Sequence, residues 1–124
     1  MTSVQLERAI SVEAGADLST HQFKFVVLTS GRLAVSGDGA DAIGVLSDKP
    51  ALLGRPGRVV VGGVTKVIAG AGVNIDANVM SDGSGLAITA AGSGKYVLAK
   101  AMEAGVLNQV MKVLLMSSYP IESA

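Results

Sequence analysis

Much of the second half of this chain repeats the first. Leu33-Ala34-Val35 is answered by Leu86-Ala87-Ile88, Gly39 by Gly92, Ala51 by Ala104 and Val60 by Val113, all about 53 residues apart. The run AGADL (Ala14 to Leu18) returns as AGAGV (Ala69 to Val73), with the spacing wider by about two residues, as a small loop deletion would produce. Such self-similarity predicts two copies of one supersecondary unit packed into one core.

The copied unit is built from strands. VVLTSGRLAVS (Val26 to Ser36), DAIGVLS (Asp41 to Ser47) and GRVVVGGVTKVIAG (Gly57 to Gly70) are β-branched runs separated by Gly, Asp and Pro clusters. The 16 glycines follow no collagen period and so punctuate short strands. KYVLAKAMEAG (Lys95 to Gly105) has good helix formers, but its partner in the first copy contains Pro50, which forbids a continuous helix. A strand from Lys95 to about Ala101 with a turn after it is therefore expected. The fold class is all-β, a small barrel-like or β-clip/β-tulip-like domain. Residues 14–116 form the duplicated domain, with repeat one at 14–68 and repeat two at 69–116; residues 1–13 form an N-terminal arm and 117–124 a C-terminal tail, where Pro120 resists regular pairing. Leu33, Val35, Val60, Leu86, Ile88 and Val113 are expected to face inward.

The charge balance narrows the partners. Ten basic and ten acidic residues cancel and no dense Lys/Arg run occurs, so neither nucleic acid nor an anionic membrane has an electrostatic footprint. Without cysteine the chain has no disulfides, thiolate metal sites or thiol catalysis, which fits synthesis in a reducing cytoplasm. The first residues carry Glu7, Arg8 and Glu13 where a secretory leader needs an apolar core. The most apolar run, Val59 to Val73, is interrupted by Lys66 and falls short of the roughly 20 residues of a membrane helix.

Several short motifs imitate chemistry and fail in context. AAGSGKY (Ala90 to Tyr96) suggests a phosphate-binding loop, but Thr89 stands where the first glycine belongs and Tyr96 where a Ser or Thr should bind magnesium. It aligns with GDGADAI (Gly37 to Ile43), so it reads as the second copy of a strand-to-strand loop. GDGADA itself fits a permissive dinucleotide fingerprint, yet a strand rather than a helix follows it and no acid stands at the ribose position. NIDANVMSDG (Asn74 to Gly83) alternates oxygen ligands, but Val79 occupies the glycine position of a calcium loop. His21 stands alone in STHQFKF and reads as a polar strand position. Asp38, Asp41, Asp48, Asp76 and Asp82 adjoin Gly, Asn, Ser or Ala, or lie close to them, as turn formers do. No serine lies in a nucleophile elbow. Phe23, Phe25, Tyr96 and Tyr119 are too scattered for a base-stacking platform and read as core or interface anchors. The expectation is no catalytic residue, no cofactor, no metal and no small-molecule substrate.

AIGVLSDKPA (Ala42 to Ala51), VVVGGVTKVIAGAGV (Val59 to Val73) and the Asp82-Gly83 turn carry a resemblance. From about Ala14 to Met116 the chain resembles the cement, or head-decoration, proteins of tailed bacteriophages and prophages. The resemblance implies a barrel-like β-domain that forms homo-oligomers, often trimers. It implies a place on the capsid surface of the virion, contact with the major capsid protein lattice, and stabilisation of the head against internal DNA pressure, after synthesis in the bacterial host cytoplasm. The arm is the candidate capsid contact, through Val4, Leu6, Arg8 and Ile10. Two other classes fit the same residues: a small β-domain that binds a ligand, and a self-assembling shell or tail component.

Overall fold

The computed structural model describes residues 8–15, 18, 21–47, 56–92 and 94–121. Nine strands follow in chain order: β1 (Arg8–Glu13), β2 (Phe25–Thr29), β3 (Arg32–Val35), β4 (Gly44–Leu46), β5 (Pro56–Ile68), β6 (Asn78–Ser81), β7 (Ala87–Thr89), β8 (Tyr96–Ala101) and β9 (Val110–Pro120). The fold is all-β. Eight strands run in the order β3-β2-β4-β5-β9-β8-β6-β7 in a sheet curled into a half-barrel, and β1 pairs with β5 beside that path. Every strand pair is antiparallel.

The segment read as one run from Val26 to Ser36 is a hairpin. Ser30 and Gly31 both take positive φ, 53° and 79°, the signature of a two-residue type I′ turn that matches strand twist. The strand expected near Lys95 to Ala101 is β8, and a turn follows it.

The same strand pairing occurs twice along the chain, and the join between the two units falls inside β5. In the first unit β2 pairs with β3 and β4, and β4 pairs with β5; in the second, β6 pairs with β7 and β8, and β8 pairs with β9. The remaining equivalence runs through the 13-residue β5. Its first part, up to Gly62, pairs with β1, and its second part, from Gly63, pairs with β9 in the matching register. Ser11↔Arg58 corresponds to Lys66↔Lys112, and Glu13↔Pro56 to Ile68↔Val110. The parallel bridges Ala14↔Leu33 and Ala69↔Ala87 correspond as well. The units therefore meet inside β5, at Gly62-Gly63, rather than between residues 68 and 69. Gly63 has φ 90°, open to glycine at little cost, and lies where the strand exchanges one partner for another.

This pairing also brings the predicted termini into the sheet. Arg8 to Glu13 is not a free arm but β1, the counterpart of the second half of β5. Residues 117–120 close β9, where Pro120 lies opposite Tyr96 at the strand's end. A proline is tolerated there because its neighbour makes the hydrogen bonds at this end, the Ile121 N–H donating to the Lys95 carbonyl at 2.7 Å.

The register settles which side chains face which way. Val59 corresponds to Val113, Leu46 to Ala101 and Val26 to Val79, by the pairs they make. This is one face of each unit. In the first unit it forms a core of its own with Ala14, Leu18 and Leu33. In the second it belongs to the larger core with Val67, Ala69, Ala87 and Met111. The opposite face of the first unit, carried by Phe25, Val45 and Val60, joins that larger core too, all three fully buried. The first unit thus lies with its back against the front of the second.

Leu33, Val60 and Val113 are buried as expected, and Val35 is half-buried against the smaller core. Leu86 and Ile88 are only half-buried; Ala87 between them is the buried residue, and the Ala69 bridge makes it the true equivalent of Leu33. A uniform 53-residue offset misses this by one position, and in a strand one position is the other face. Gly44 is the tightest point of the shared wall: a Cβ there would overlap the carbonyl oxygen of Val60.

Candidate interaction surface

The stacking leaves one equivalent face unmatched. Phe25, Val45, Val60 and Ala9 form the back of the first unit; their counterparts in the second are Asn78, Lys100, Leu114 and Val64. Asn78, Lys100 and Leu114 are exposed and Val64 is half-buried, because no third unit covers them. Beside this row stand Lys66 and Lys112, directly opposite one another across β5 and β9 and both exposed. Like charges in that relation repel by a few tenths of a kcal/mol. Beyond them Ile68 faces Val110, which is 40% exposed.

Strand alternation explains the face. In β9, Met111, Val113 and Leu115 point into the core, which turns Val110, Lys112 and Leu114 outward. The turn after β8 adds exposed Met102, Val106 and Leu107, and the loop before β6 adds Ile75. Among the described residues, six of the nine exposed large apolar side chains belong to this part of the second unit. Apolar side chains exposed singly need no explanation; their concentration in one part of one unit makes this surface the candidate. Between the loop and the strands lies an open depression of ≈ 340 Å³ lined by Asp76, Lys100, Ala101, Met102 and Leu114. Asp76 and Lys100 line it together, and the structure shows no ion pair between them.

The residues singled out from the sequence take other positions. Val4 and Leu6 lie outside the described residues. Arg8 and Ile10 stand in β1 opposite Gly62 and Val59, with Ile10 45% exposed, so they belong to the sheet rather than to an arm. Asp48 also lies outside the described residues.

The two loops that imitated nucleotide motifs meet each other. Lys95 pairs with the carboxylate of Asp38, its aliphatic stem covers Gly39, and the Tyr96 N–H donates to the Gly39 carbonyl at 3.0 Å. The Gly39 N–H in turn donates to the Ser81 carbonyl at 2.8 Å. Lysine here ties the units together where a phosphate loop would present it to a ligand.

His21 precedes β2 in a loop, because Phe23 takes a φ of 67° and breaks the strand alternation. The Lys24 ammonium donates to its Nδ1 at 2.9 Å. Asp82 acts as a turn former: its Oδ1 accepts from the Ser84 and Leu86 N–H groups at 2.7 and 2.9 Å. Asp76 sits at a φ of 68°, also in a turn. Asp41 accepts from the Ser118 hydroxyl. Among the aromatics, Phe25 is core, Tyr96 and Phe23 are half-buried, and Tyr119 is 44% exposed.

The exposed back of the second unit was not read from the sequence. The signal was present in the two copies, where Val45 has become Lys100, Ser11 has become Lys66 and Glu13 has become Ile68. Seeing it requires offsets of 55 and 54 residues for different strands instead of one offset for all.

No protein-family model matches the sequence, and no curated protein matches it. Among solved structures the chain is similar to the head fiber gp8.5 N base in bacteriophage phi29, with a TM-score of 0.72 and 15% identity over 95% of this chain and 100% of that one. At this identity the likeness establishes a shared fold.

Proposed function

We propose that the chain is a structural protein of a phage head, one that decorates and stabilises the outside of the shell. The observation that carries the reading is the end-to-end likeness to a head fiber base, a likeness that leaves none of that solved chain unmatched. The resemblance of its strand and turn motifs to head-decoration proteins points the same way. In this reading the protein binds by shape, as an oligomer for which a trimer is favoured. It occupies repeated positions on the capsid lattice and gains strength from several weak contacts made at once. The proposal assigns no catalytic residue: the lysine and acids of the suspect motifs are engaged in turns and in the contact between units.

A ligand bound only to the intact shell stabilises the shell. Particles lacking the chain should therefore release DNA at a lower temperature in a dye-release melt than particles to which it has been added back. Equal release temperatures, with binding verified by co-sedimentation, would remove the cement role. Failure to co-sediment with any assembled shell would remove the head assignment itself.

A further inference from the structure

We infer that the exposed back of the second unit is a docking face for a protein surface that presents carboxylates among apolar side chains. The inference deepens the proposed function by assigning its contact face, and it rests on that reading only for the identity of the partner.

The internal duplication provides the reference. At the positions of Asn78, Lys100 and Leu114 the first unit carries Phe25, Val45 and Val60, all buried within the molecule, so this row of the face is built to be covered, while Ser11, Glu13 and Arg58, the counterparts of Lys66, Ile68 and Lys112, are exposed beside it. The second unit keeps the apolar part of that design in Val64, Val110 and Leu114, the last two 40% and 42% exposed. It changes the charged part in one direction. Val45 and Ser11 become Lys100 and Lys66, while the cation at Arg58 is kept as Lys112. The acid at Glu13 is replaced by Ile68. Arg58 donates to the Ser47 hydroxyl at 3.1 Å, but Met102 stands at the Ser47 position beside Lys112. Glu103 spends a carboxylate oxygen on the Lys112 backbone N–H at 2.9 Å. Among the described residues no carboxylate pairs with the ammonium groups of Lys66, Lys100 or Lys112.

Charge complementarity selects the occupant. A second copy using the same face would bring together two surfaces on which three lysines outnumber Asp76 and Glu103, and that excess of like charge costs association free energy. The first unit's front, which a third unit would have to offer, is already buried within the chain. A nucleic acid would meet the cations but would leave the apolar residues between them unmatched; protein interfaces combine both. The depression beside Lys100 has Ala101, Met102 and Leu114 in its lining together with Lys100 and the acid Asp76, so the lysines Lys66 and Lys112 beyond it supply the excess of positive charge.

The test uses the whole chain and three probes: an alternating Glu-Leu octapeptide, its Lys-Leu counterpart and a 20-base-pair DNA duplex. The acidic peptide should bind saturably, with amide NMR shifts confined to residues 64–68, 75–78 and 98–114. Reversing K66E, K100E and K112E together should leave the melting temperature within a few degrees. It should also weaken the acidic peptide about tenfold or more, the scale of close interfacial charge pairs, and transfer binding to the basic peptide. Absence of saturable binding, shifts elsewhere on the molecule, or tighter binding of DNA would each overturn the inference. A particle assay separates it from the proposed function. If wild type and triple variant co-sediment equally with shells, the face is wrong and the head assignment stands; if only the peptides bind, the reverse holds.

Discussion

The two units of this protein share one chain path, one register and one set of strand partners, yet they solve the burial problem differently. In the first unit both faces of the β4–β5 wall are covered: Leu46 and Val59 by the unit's own loops and edge strands, Val45 and Val60 by the neighbouring unit. In the second only one face is covered, and the other carries lysines where the first has valine and serine. Identical topology therefore does not fix which positions must be apolar; position in the stack does. End units of stacked repeats need an outer face compatible with water. Here the strand positions of that face meet the requirement with lysines, Asp76 and Glu103 standing in the flanking turns, and much apolar surface has been retained.

The comparison makes its largest prediction at the first row. Phe25→Ala should cost about 3–5 kcal/mol, the range for removing a buried aromatic. Its equivalent Asn78→Ala should stay within about 0.5 kcal/mol, as surface changes do. Val60→Ala and Leu114→Ala extend the contrast in a way that side-chain size alone cannot imitate. The smaller residue should be the costlier to truncate, since Val60 is fully buried and Leu114 is 42% exposed. Urea denaturation of the four variants reads both pairs; equal costs within either pair would dissolve the distinction between covered and open backs.

A second substitution sharpens the comparison at the wall itself. Gly44 corresponds to Ala99, where the second unit accommodates a methyl group near the irregular register of β8. At Gly44 the same methyl would overlap the Val60 carbonyl oxygen. Gly44→Ala should thus destabilise by about 1–3 kcal/mol through forced backbone shifts. A melting temperature unchanged from wild type would show that the wall yields more easily than its packing implies.

The smallest effect concerns the lysine pair. Lys66→Glu replaces a directly opposed like-charge pair with an opposite-charge one, and the protein should gain about 0.2–1 kcal/mol at low salt. The gain should shrink as salt is raised, because both groups are exposed. A loss of stability would mean that Lys66 already holds a favourable contact.

Much of the fold was legible in the residues because strands and turns are local. The strands in the Asp41 to Ser47 and Gly57 to Gly70 runs and the Asp82 turn depend on near neighbours, and the structure agrees with them; the strand at β8 was read through the repeat, from Pro50. Register was not legible to the same degree. Matching Val60 with Val113 paired two buried valines that lie on opposite faces of their units; Val59 is the partner of Val113, and Leu114 that of Val60. Both valines are buried, so burial alone could not expose the slip. Membership of the terminal segments was hidden for a related reason. Residues 8–13 resemble nothing at an offset of 53 because their counterpart is the second half of β5, a strand already counted in the first copy. The candidate face was the least legible part, since its meaning lies in the difference between two copies and the copies had to be aligned strand by strand first.

The shared strand has a thermodynamic consequence. β5 ends one unit and begins the next as one continuous strand, so no flexible connector separates the halves. Each strand pair lies within one unit, but loss of either unit uncovers the larger core, to which Phe25, Val45 and Val60 of the first and Val67, Met111 and Val113 of the second contribute. Melting should consequently be a single cooperative step with coincident calorimetric and spectroscopic midpoints. The slowest amide exchange should fall along β5 on both sides of Gly63, the last part of the chain to open.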